Sequence, residues 1–517
     1  MKKKREKKVI IKSVLYIVIV FVLFTLITLI NFGLDWAEKT YGTVPFSQLV
    51  FHLKVPLKGT SNTITGDFIH KYFRNNILFL IITLISLCLF TITHMQNREK
   101  FILKNKSDKY IDIGKILKIF IFLCVVTSLG YEVADASERL GIREYVKLMN
   151  KKSTIYEKYY VDASKVSITA PEKKKNLIYI YCESLEKTFL STEYGGNMAN
   201  NLMPNLTCLA INGENFSGLS DDADYVNGPY CAYNTEWTIA GMVAQSSGIS
   251  LNIPIDGNSY GEYSKFLPGV TSLGDILKKS GYSQELLVGS DAAFGGRKNY
   301  FSQHGKYKIF DLSIAKKEGY IDEDYSVNWG FEDEKLFEYA KYEIMELASE
   351  NKPFNFTMLT SDTHFPEGYV CDLCGDEFDT QYENVISCSD RQIYDFVLWL
   401  KNQDFYEDTV VVISGDHTSM STAVKELEVN DDYNRKVFSV VLNSDLEYYG
   451  YMERQFTTMD LFPTTLASMG FVIEGDRLGL GTNLYSDKQT LTEEMGIDKL
   501  NDELSKVSDY YNKNILR

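Results

Sequence analysis

Four apolar segments of this chain each run directly into side chains that can bind a metal ion or a phosphate group. The segments, each with the residues that follow it, are 177–181 with Glu183; 286–288 with Ser290, Asp291 and Arg297; 356–359 with Asp362 and His364; and 410–413 with Asp416 and His417. Carboxylates and imidazoles bind divalent cations, and a guanidinium forms paired hydrogen bonds with phosphate. Together these residue types indicate metal-assisted phosphoryl chemistry.

Continuous apolar segments of this length are typical of strands in a parallel sheet that is buried on both faces. Ligands of such sheets bind beyond the carboxyl ends of the strands, so side chains far apart in sequence are expected to converge there. The helical patterns among these segments occupy 235–245, 273–279, 333–349, 390–401 and 459–469. This alternation predicts an α/β fold over residues 174–490, with a mostly parallel sheet sandwiched by helices.

Glu183, Asp416 and His417 are the candidate metal ligands. A carboxylate directly after a buried strand is costly unless it is paired or binds a metal, so a salt bridge or a place beside a helix N-cap is the alternative for Glu183. Adjacent Asp416 and His417 offer an oxygen and a nitrogen ligand, and Gly415 lets the backbone approach closely. Their alternative is a turn aspartate beside a surface histidine.

Thr235 begins a predicted helix and is a candidate nucleophile. A hydroxyl at a helix N-terminus lies among free N–H groups that bind phosphate oxygens, and a nearby cation makes its deprotonation easier. The alternative is an ordinary N-cap, a position that threonine favours.

Arg297, His364 and Asp291 are the candidate substrate contacts. Arg297 lies in a Phe-Gly-Gly-Arg segment, where it could hold a phosphate in a bidentate manner, although a lone arginine in a loop is often simply solvated. His364 could protonate a leaving oxygen or bind phosphate.

The charge of the chain is distributed unevenly. Residues 1–150 carry more Lys and Arg than Asp and Glu, whereas the remainder is acidic enough to give a net charge of −15. The two parts therefore suit different environments. An acidic second part argues against nucleic acid as a partner, because that binding depends on neutralising phosphates.

Three apolar segments predict a membrane anchor over residues 1–130. They are 9–30, 77–93 and 116–129. The first is long enough to span the bilayer, and no small-residue cleavage site follows it, which disfavours a cleaved signal peptide. The third reaches spanning length only with 111–115 and with Lys115 and Lys118 snorkelling; a buried core helix is its alternative.

Basic residues set the expected orientation in the membrane. Clusters at 1–8 and 98–109 should be cytoplasmic, so three spans place residues beyond about 131 outside the cell membrane, together with the loop 31–76. The expected protein is thus multi-pass with an extracytoplasmic catalytic domain. Residues 131–173 are expected to form a connector and residues 491–517 a charged helical tail.

The chain has eight cysteines, and an exported domain can form disulfides. Pairing of Cys374 with Cys388 is expected. The Cys371-x-x-Cys374 spacing could instead indicate zinc or redox chemistry, but no second cysteine pair or nearby histidine completes a zinc set in the sequence.

In combination, these residues resemble the alkaline phosphatase and sulfatase superfamily. The order matches: an acidic ligand after the first strand, a hydroxyl at a helix start, then Arg, His and a late Asp-His pair. Within it, the chain is most similar to membrane-bound phosphoglycerol transferases of the type I kind, and more distantly to lipoteichoic acid synthase. The matching segments are 176–185 (NLIYIYCESL), 235–248 (TEWTIAGMVAQSSG), 273–282 (LGDILKKSGY), 328–331 (NWGF), 360–366 (TSDTHFP), 408–417 (DTVVVISGDH), 478–481 (LGLG) and, in the anchor, 46–59.

The resemblance implies one divalent metal ion, Mn²⁺ with Mg²⁺ or Zn²⁺ as alternatives, bound by Glu183, Thr235, Asp416 and His417. It implies Thr235 as the nucleophile, with Arg297 and His364 contacting glycerol phosphate. The spacings 235–248 and 297–305 match lipoteichoic acid synthase without gaps. That synthase has a tryptophan two positions before the arginine, where this chain has Gly295, and a longer membrane anchor.

The implied reaction transfers sn-glycerol 1-phosphate from phosphatidylglycerol to an extracytoplasmic glycan or polyglycerolphosphate acceptor through a covalent threonine intermediate. A phosphoethanolamine transferase or a phosphodiesterase of the same superfamily is the alternative. A non-enzymatic, membrane-tethered binding protein would be expected to have lost a ligand or the nucleophile, and none is missing. Sulfate ester hydrolysis is disfavoured, because 235–239 lacks the Cys/Ser-x-Pro/Ala-x-Arg pattern of sulfatases.

Overall fold

The computed structural model describes residues 2–41, 46–54, 62–104, 110–218, 225–252, 265–421, 423–450 and 452–516. The chain forms two compact units, one of Met1–Thr43 with Asn62–Glu144 and the other of Val44–Ser61 with Tyr145–Arg517. The segment 46–59, which resembles the transferases, therefore lies partly outside the described residues. The expected connector 131–173 is divided between the two units.

The helices and strands are numbered in chain order. The helices are α1 Lys2–Tyr41, α2 Phe46–Lys54, α3 Asn62–Gln96, α4 Ile113–Arg139, α5 Ile142–Met149, α6 Ile155–Tyr159, α7 Pro204–Ile211, α8 Thr238–Ser247, α9 Leu273–Lys279, α10 Arg297–Gln303, α11 Leu312–Lys317, α12 Asp333–Ser349, α13 Gln381–Lys401, α14 Ala423–Leu427, α15 Leu461–Ser468, α16 Leu491–Met495 and α17 Ile497–Leu504. The strands are β1 Ile102–Lys104, β2 Tyr110–Asp112, β3 Ile168–Thr169, β4 Asn176–Cys182, β5 Ser283–Val288, β6 Lys308–Phe310, β7 Phe354–Leu359, β8 Thr409–Gly415, β9 Ser439–Leu442, β10 Val472–Ile473, β11 Arg477–Leu478 and β12 Gly481–Thr482.

The first unit is built from long apolar helices. Lys7–Thr40, Gly66–Gln96 and Ile113–Arg139 are each long and apolar enough to cross a membrane, and they contain the three predicted segments. Most side chains of α4 are exposed, including Ile119 and Phe120. A buried core helix, the alternative for the third segment, does not fit this exposure.

The second unit is organised around a six-stranded sheet in the order β6-β5-β7-β4-β8-β9. All neighbours pair in parallel except β8 and β9, which are antiparallel. The predicted apolar segments form its central strands, each extended by one to three residues. The predicted α/β fold with a mostly parallel sheet is confirmed.

Both faces of this sheet are buried, which explains the continuous apolar strand sequences. In β4, the residues Leu177, Tyr179 and Tyr181 belong to one hydrophobic core, and Ile178 and Ile180 belong to the core on the other face. The C-terminal residues are part of the first core, because Leu500, Leu504, Tyr511 and Ile515 are all buried in it. The expected charged tail is thus packed through its apolar side.

Helices α9 and α12 have the predicted bounds, whereas α8 and α13 differ at their starts. Helix α13 begins at Gln381 rather than at 390, because Thr380 and Glu383 form a capping box. Helix α8 begins at Thr238 rather than at Thr235, with Trp237 as its N-cap. The start of α8 matters for the site described next.

Candidate active site

Strands β4 and β8 place three candidate metal ligands side by side. The two strands are parallel neighbours, and Cys182 lies opposite Gly415 at their carboxyl ends. Ligand atoms of Glu183, Asp416 and His417 all lie within 4.8 Å of one another. The His417 Nε2 atom is 3.6 Å from Glu183 Oε1 and 3.5 Å from Asp416 Oδ2.

Hydrogen bonds orient these side chains for a cation. Asp416 Oδ1 accepts from the backbone N–H groups of Ser184 and His417, both at 2.8 Å. His417 Nδ1 lies 2.9 Å from the Thr418 carbonyl oxygen, which can only accept, so Nδ1 carries the proton. The lone pair of Nε2 therefore faces the two carboxylates. This tautomer and its backbone anchor are usual for metal-binding histidines.

One oxygen of the buried carboxylates in this group has no hydrogen-bond partner in the part of the chain that the structure describes. Asp416 is fully buried, and its Oδ2 atom has no hydrogen-bond partner within the described residues. Burial, and then the negative charge of Glu183, raises the pKa of Asp416 to about 7. A divalent cation would satisfy the unpartnered oxygen and balance both carboxylates, so the residues present fit a metal site.

Two glycines allow the close packing behind this group. A Cβ atom on Gly415 would lie 1.9 Å from the Leu185 carbonyl oxygen, as expected for a position of close backbone approach. A Cβ atom on Gly241 of α8 would lie 2.0 Å from the Asp416 carbonyl oxygen. Helix α8 can therefore pack directly against the end of β8.

Two threonines at the start of α8 have different surroundings. The Thr235 side chain is fully buried, and its hydroxyl donates to the Ala232 carbonyl at 2.8 Å. The Thr238 hydroxyl is 3.4 Å from Glu183 Oε2 and lines a pocket beside the metal group. The sequence prediction for the nucleophile is Thr235, and the structure adds Thr238 as a second candidate.

Arg297, the first residue of α10, is held as a buried cation. Its side chain donates to Ser290 Oγ at 2.9 Å and to the carbonyl oxygens of Asp291 and Phe294 at 3.0 and 3.2 Å. Burial lowers its pKa to about 10, and it forms no ion pair with any residue that the structure describes. The Asp291 carboxylate instead accepts from the Ala293 N–H at 2.8 Å, so it shapes the loop that presents Arg297.

His364 follows β7 and also lines the pocket. Its Nδ1–H donates to the Phe365 carbonyl at 2.8 Å, which leaves Nε2 as an acceptor. Burial lowers the pKa of His364, so the neutral imidazole is favoured. The Trp329 ring packs against it at 4.7 Å between centroids and against Phe294 at 5.3 Å.

The pocket brings together residues from five separate parts of the sequence. Its lining is Glu183, Thr238, Gly289, Ser290, Phe294, Arg297, Trp329, Leu359, Thr360, Ser361 and His364. Sequence reasoning named Thr238 only as a fallback position for the covalent adduct and assigned no role to Phe294, Trp329 or Thr360. The available signal for Trp329 was its place in the 328–331 segment, which resembles the transferases.

Known proteins share this fold and part of this sequence. The profile of a family described as Sulfatase matches residues 175–471. Phosphoglycerol transferase I of Escherichia coli (strain K12) is 32% identical over 382 residues, which cover 72% of this chain and 47% of that protein. The same protein of Escherichia coli (strain SMS-3-5 / SECEC) gives the same values. The chain therefore spans about half the length of the curated relatives it matches.

One solved structure gives a matching result for the fold. A protein in the alkaline phosphatase superfamily from Vibrio parahaemolyticus superposes with a TM-score of 0.50 at 21% identity, over 68% of this chain and 80% of that one. The lipoteichoic acid synthase LtaP from Listeria monocytogenes has a TM-score of 0.48 at 19% identity, over 62% and 79% of the two chains. With the family profile matching most of the second unit, this chain belongs to the sulfatase family.

Proposed function

We propose that this chain is a membrane-anchored enzyme that transfers the glycerol phosphate headgroup of phosphatidylglycerol to a hydroxyl group of an extracytoplasmic glycan or polyglycerolphosphate acceptor. The observation that carries this proposal is the buried Arg297 guanidinium, which has no anionic partner in the described chain and shares a pocket with Glu183. A phosphate diester held there would pair with the guanidinium. The similarity to phosphoglycerol transferase I supports the choice of headgroup.

Glu183, Asp416 and His417 would hold a divalent metal ion, together with a threonine hydroxyl from the start of α8. Two carboxylates, a hydroxyl and one imidazole suit Mn²⁺ or Mg²⁺, with Zn²⁺ as an alternative. When bound, such an ion neutralises charge on the phosphoryl group and eases deprotonation of a neighbouring hydroxyl.

The protein residues supply a double displacement. The threonine oxygen, on Thr235 or Thr238, attacks phosphorus; the phosphorus–oxygen bond to diacylglycerol breaks, and the threonine proton ends on the diacylglycerol hydroxyl. Arg297 holds the non-bridging oxygens of the glycerophosphoryl group on the threonine. The oxygen of an acceptor hydroxyl then attacks phosphorus, the phosphorus–oxygen bond to the threonine breaks, and the acceptor's proton returns to the threonine oxygen.

His364 is suited to contact the headgroup rather than to act as an acid. Its Nδ1–H is committed to the Phe365 carbonyl, so Nε2 can accept a hydrogen bond from a glycerol hydroxyl. Protonation of a leaving oxygen would require the imidazolium, which burial disfavours. An ammonium headgroup could also donate to Nε2, so this contact orients the headgroup and does not by itself select glycerol.

The test uses the full chain in vesicles with headgroup-labelled phosphatidylglycerol and candidate glycan acceptors. We expect diacylglycerol release and transfer of the label to the acceptor. Arg297→Lys should lower transfer strongly because one point charge replaces a bidentate contact. Arg391→Lys should have no effect, because Arg391 forms an ion pair with Glu377 and does not line the pocket. Equal use of phosphatidylethanolamine would overturn the headgroup assignment, and release of free glycerol phosphate in place of transfer would indicate a phosphodiesterase.

The proposed topology places the N-terminus in the cytoplasm and the second unit outside. The basic clusters at 1–8 and 98–109 support this orientation, and three helices can cross the membrane. A reporter that is active only outside the cytoplasm should be active when fused to the C-terminus of this chain. An inactive exported-type reporter beside an active cytoplasmic one would refute the three-span arrangement.

A further inference from the structure

Three cysteines of the second unit form a compact cluster, and none of them lines the pocket described above. Cys371 and Cys374 lie in the loop that follows β7, and Cys388 lies on α13. The Cys371 Sγ atom is 3.6 Å from Cys374 Sγ and 3.8 Å from Cys388 Sγ. All three are free thiols within 4.8 Å of one another. The expected Cys374–Cys388 disulfide is not formed in this structure.

The sulfur separations match the edges of a metal tetrahedron. Zinc–thiolate bonds of about 2.3 Å in tetrahedral geometry place two sulfurs about 3.8 Å apart. A disulfide would instead require about 2.05 Å. The central position of Cys371, close to both other sulfurs, is also what a shared ion produces and a single disulfide does not.

The loop has the backbone features of a metal-binding turn. The Cys374 N–H donates to the Cys371 carbonyl at 3.1 Å, which closes the Cys-x-x-Cys turn.

Gln392 completes a fourth position. It lies one helical turn after Cys388 on α13, and its amide nitrogen is 3.5 Å from Cys388 Sγ and 3.6 Å from Cys371 Sγ. Its Oε1 atom is buried and has no partner in the described structure. Rotation of the Gln392 amide by half a turn would exchange its nitrogen and oxygen atoms and so turn the oxygen toward the two sulfurs. With metal bonds of about 2.0 Å to oxygen and 2.3 Å to sulfur, an oxygen–sulfur edge is about 3.5 Å.

We propose that Cys371, Cys374, Cys388 and the amide oxygen of Gln392 form a second, structural metal site for a thiolate-binding divalent cation of the zinc type. The site would fasten the loop after β7 to α13. That loop also holds His364, because the N–H groups of Gly368 and Tyr369 donate to the carbonyls of His364 and Asp362 at 3.1 and 2.7 Å. The proposal does not depend on the reaction proposed above.

The test isolates the full chain without reductant and measures bound metal and free thiols. To separate the two metal sites, Asp416→Ala is the parent, because it removes a ligand of the first. We expect about one zinc per chain in this parent and no disulfide at Cys371, Cys374 or Cys388 in peptide mapping. Replacement of zinc by cobalt should give thiolate-to-metal charge-transfer absorption. A disulfide between any two of the three cysteines, or three free thiols without cobalt absorption, would overturn the proposal.

Substitutions identify the ligands. Cys371→Ser should abolish the cobalt absorption and lower the melting temperature, whereas Cys208→Ser, at an exposed free cysteine, should change neither. If the cluster were a Cys374–Cys388 disulfide, Cys371→Ser would leave that bond and the melting temperature intact. Should Cys371→Ser fail to fold, Gln392→Leu serves instead: it should keep the three thiols but alter the cobalt spectrum, while Gln392→Glu retains an oxygen ligand. Identical spectra for the parent and Gln392→Leu would remove Gln392 from the site.

Discussion

Valine substitutions at Thr235 and Thr238 separate the two candidates for the nucleophile. Valine removes the hydroxyl but keeps the branched shape of threonine. Only the substitution at the attacking residue should abolish formation of the covalent intermediate. The two side chains have different environments, so the effects on stability and on activity can be told apart.

The expected loss of stability is larger at Thr235. Its buried hydroxyl donates to the Ala232 carbonyl at 2.8 Å, so Thr235→Val loses one buried hydrogen bond, about 1 kcal/mol. The Ala232 carbonyl keeps a second partner, the Thr235 N–H at 3.0 Å, which limits the cost. The Thr238 hydroxyl makes only a long contact of 3.4 Å with Glu183, so Thr238→Val should cost less than about 1 kcal/mol.

The activity effects should follow the chemistry rather than the stability. Loss of the attacking oxygen should lower turnover by about 10³-fold or more. If Thr238 attacks, its valine variant is inactive and almost as stable as the wild type, while Thr235→Val is active and less stable. If Thr235 attacks, Thr235→Val lowers both turnover and stability, and Thr238→Val remains active.

The assay measures diacylglycerol release, thermal unfolding, and the mass of peptides from rapidly quenched protein given phosphatidylglycerol. The glycerophosphate adduct should lie on one of the two threonines, and the serine variant at that position should retain part of the activity. Normal turnover by both valine variants would refute the covalent threonine mechanism. An adduct on Ser184 would keep the mechanism and move the nucleophile.

Three further substitutions have defined outcomes. Asp416→Asn should lower metal content and turnover, because it removes a charged metal ligand. It should raise the melting temperature of the metal-free protein, because only one of the two adjacent buried carboxylates remains. An unchanged metal content measured by mass spectrometry would contradict the metal assignment. Gly241→Ala should lower the melting temperature, because the new Cβ atom would lie 2.0 Å from the Asp416 carbonyl oxygen. A glycine-to-alanine change within a helix normally stabilises by about 1 kcal/mol, so a gain in stability would show that α8 can move away from β8. Lys187 is buried, and this burial, followed by the charge of Lys436, lowers its pKa to about 7. Between pH 7 and the ordinary lysine pKa of about 10.4, only the unfolded chain binds this proton, so the free energy of unfolding rises with pH. Lys187→Met should flatten this rise in chemical unfolding measured across that range, and an unchanged slope would assign the rise to other groups.

The central strands could be predicted because burial on both faces leaves a simple signal in the sequence. Every residue of β8 is buried, and only Ser414 and Gly415 separate its apolar run 410–413 from Asp416. The same reasoning places Glu183 and Asp416 at one edge, because parallel neighbouring strands end together. A charged residue directly after such a run is therefore informative even without knowledge of the strand order.

The start of α8 could not be predicted in the same way. Its N-cap is Trp237, which has an extended backbone and makes no side-chain cap, whereas Thr235 has the residue type that usually caps a helix. Asn234, directly before Thr235, adopts a positive φ of 60°. The Leu251 N–H donates to the Asn234 carbonyl at 3.0 Å. The position of the helix start thus depends on long-range contacts.

Two further features also depend on tertiary packing: the position of Trp329 beside the Arg297 loop and the meeting of the three cysteines. Gly330 bridges to Ser290, which brings Trp329 beside the loop of Arg297. The three cysteines meet only because the loop after β7 lies against α13, and that helix begins earlier than its apolar pattern indicated. The sequence shows a Cys-x-x-Cys pair and led to Cys388 only as the expected disulfide partner of Cys374; it does not group the three sulfurs with Gln392.

Function and stability oppose each other at the carboxyl ends of β4 and β8. The fold removes Glu183 and Asp416 from water and leaves Asp416 Oδ2 without a partner, an arrangement that costs free energy in the absence of a cation. A bound ion would reverse this effect, because it binds the folded chain and stabilises that state. The buried Arg297 has the opposite charge and the same lack of an ionic partner. A phosphate diester bound between Arg297 and the metal ion would pair with the guanidinium and with the ion together. A site whose described residues leave these charges without partners is therefore suited to hold that substrate.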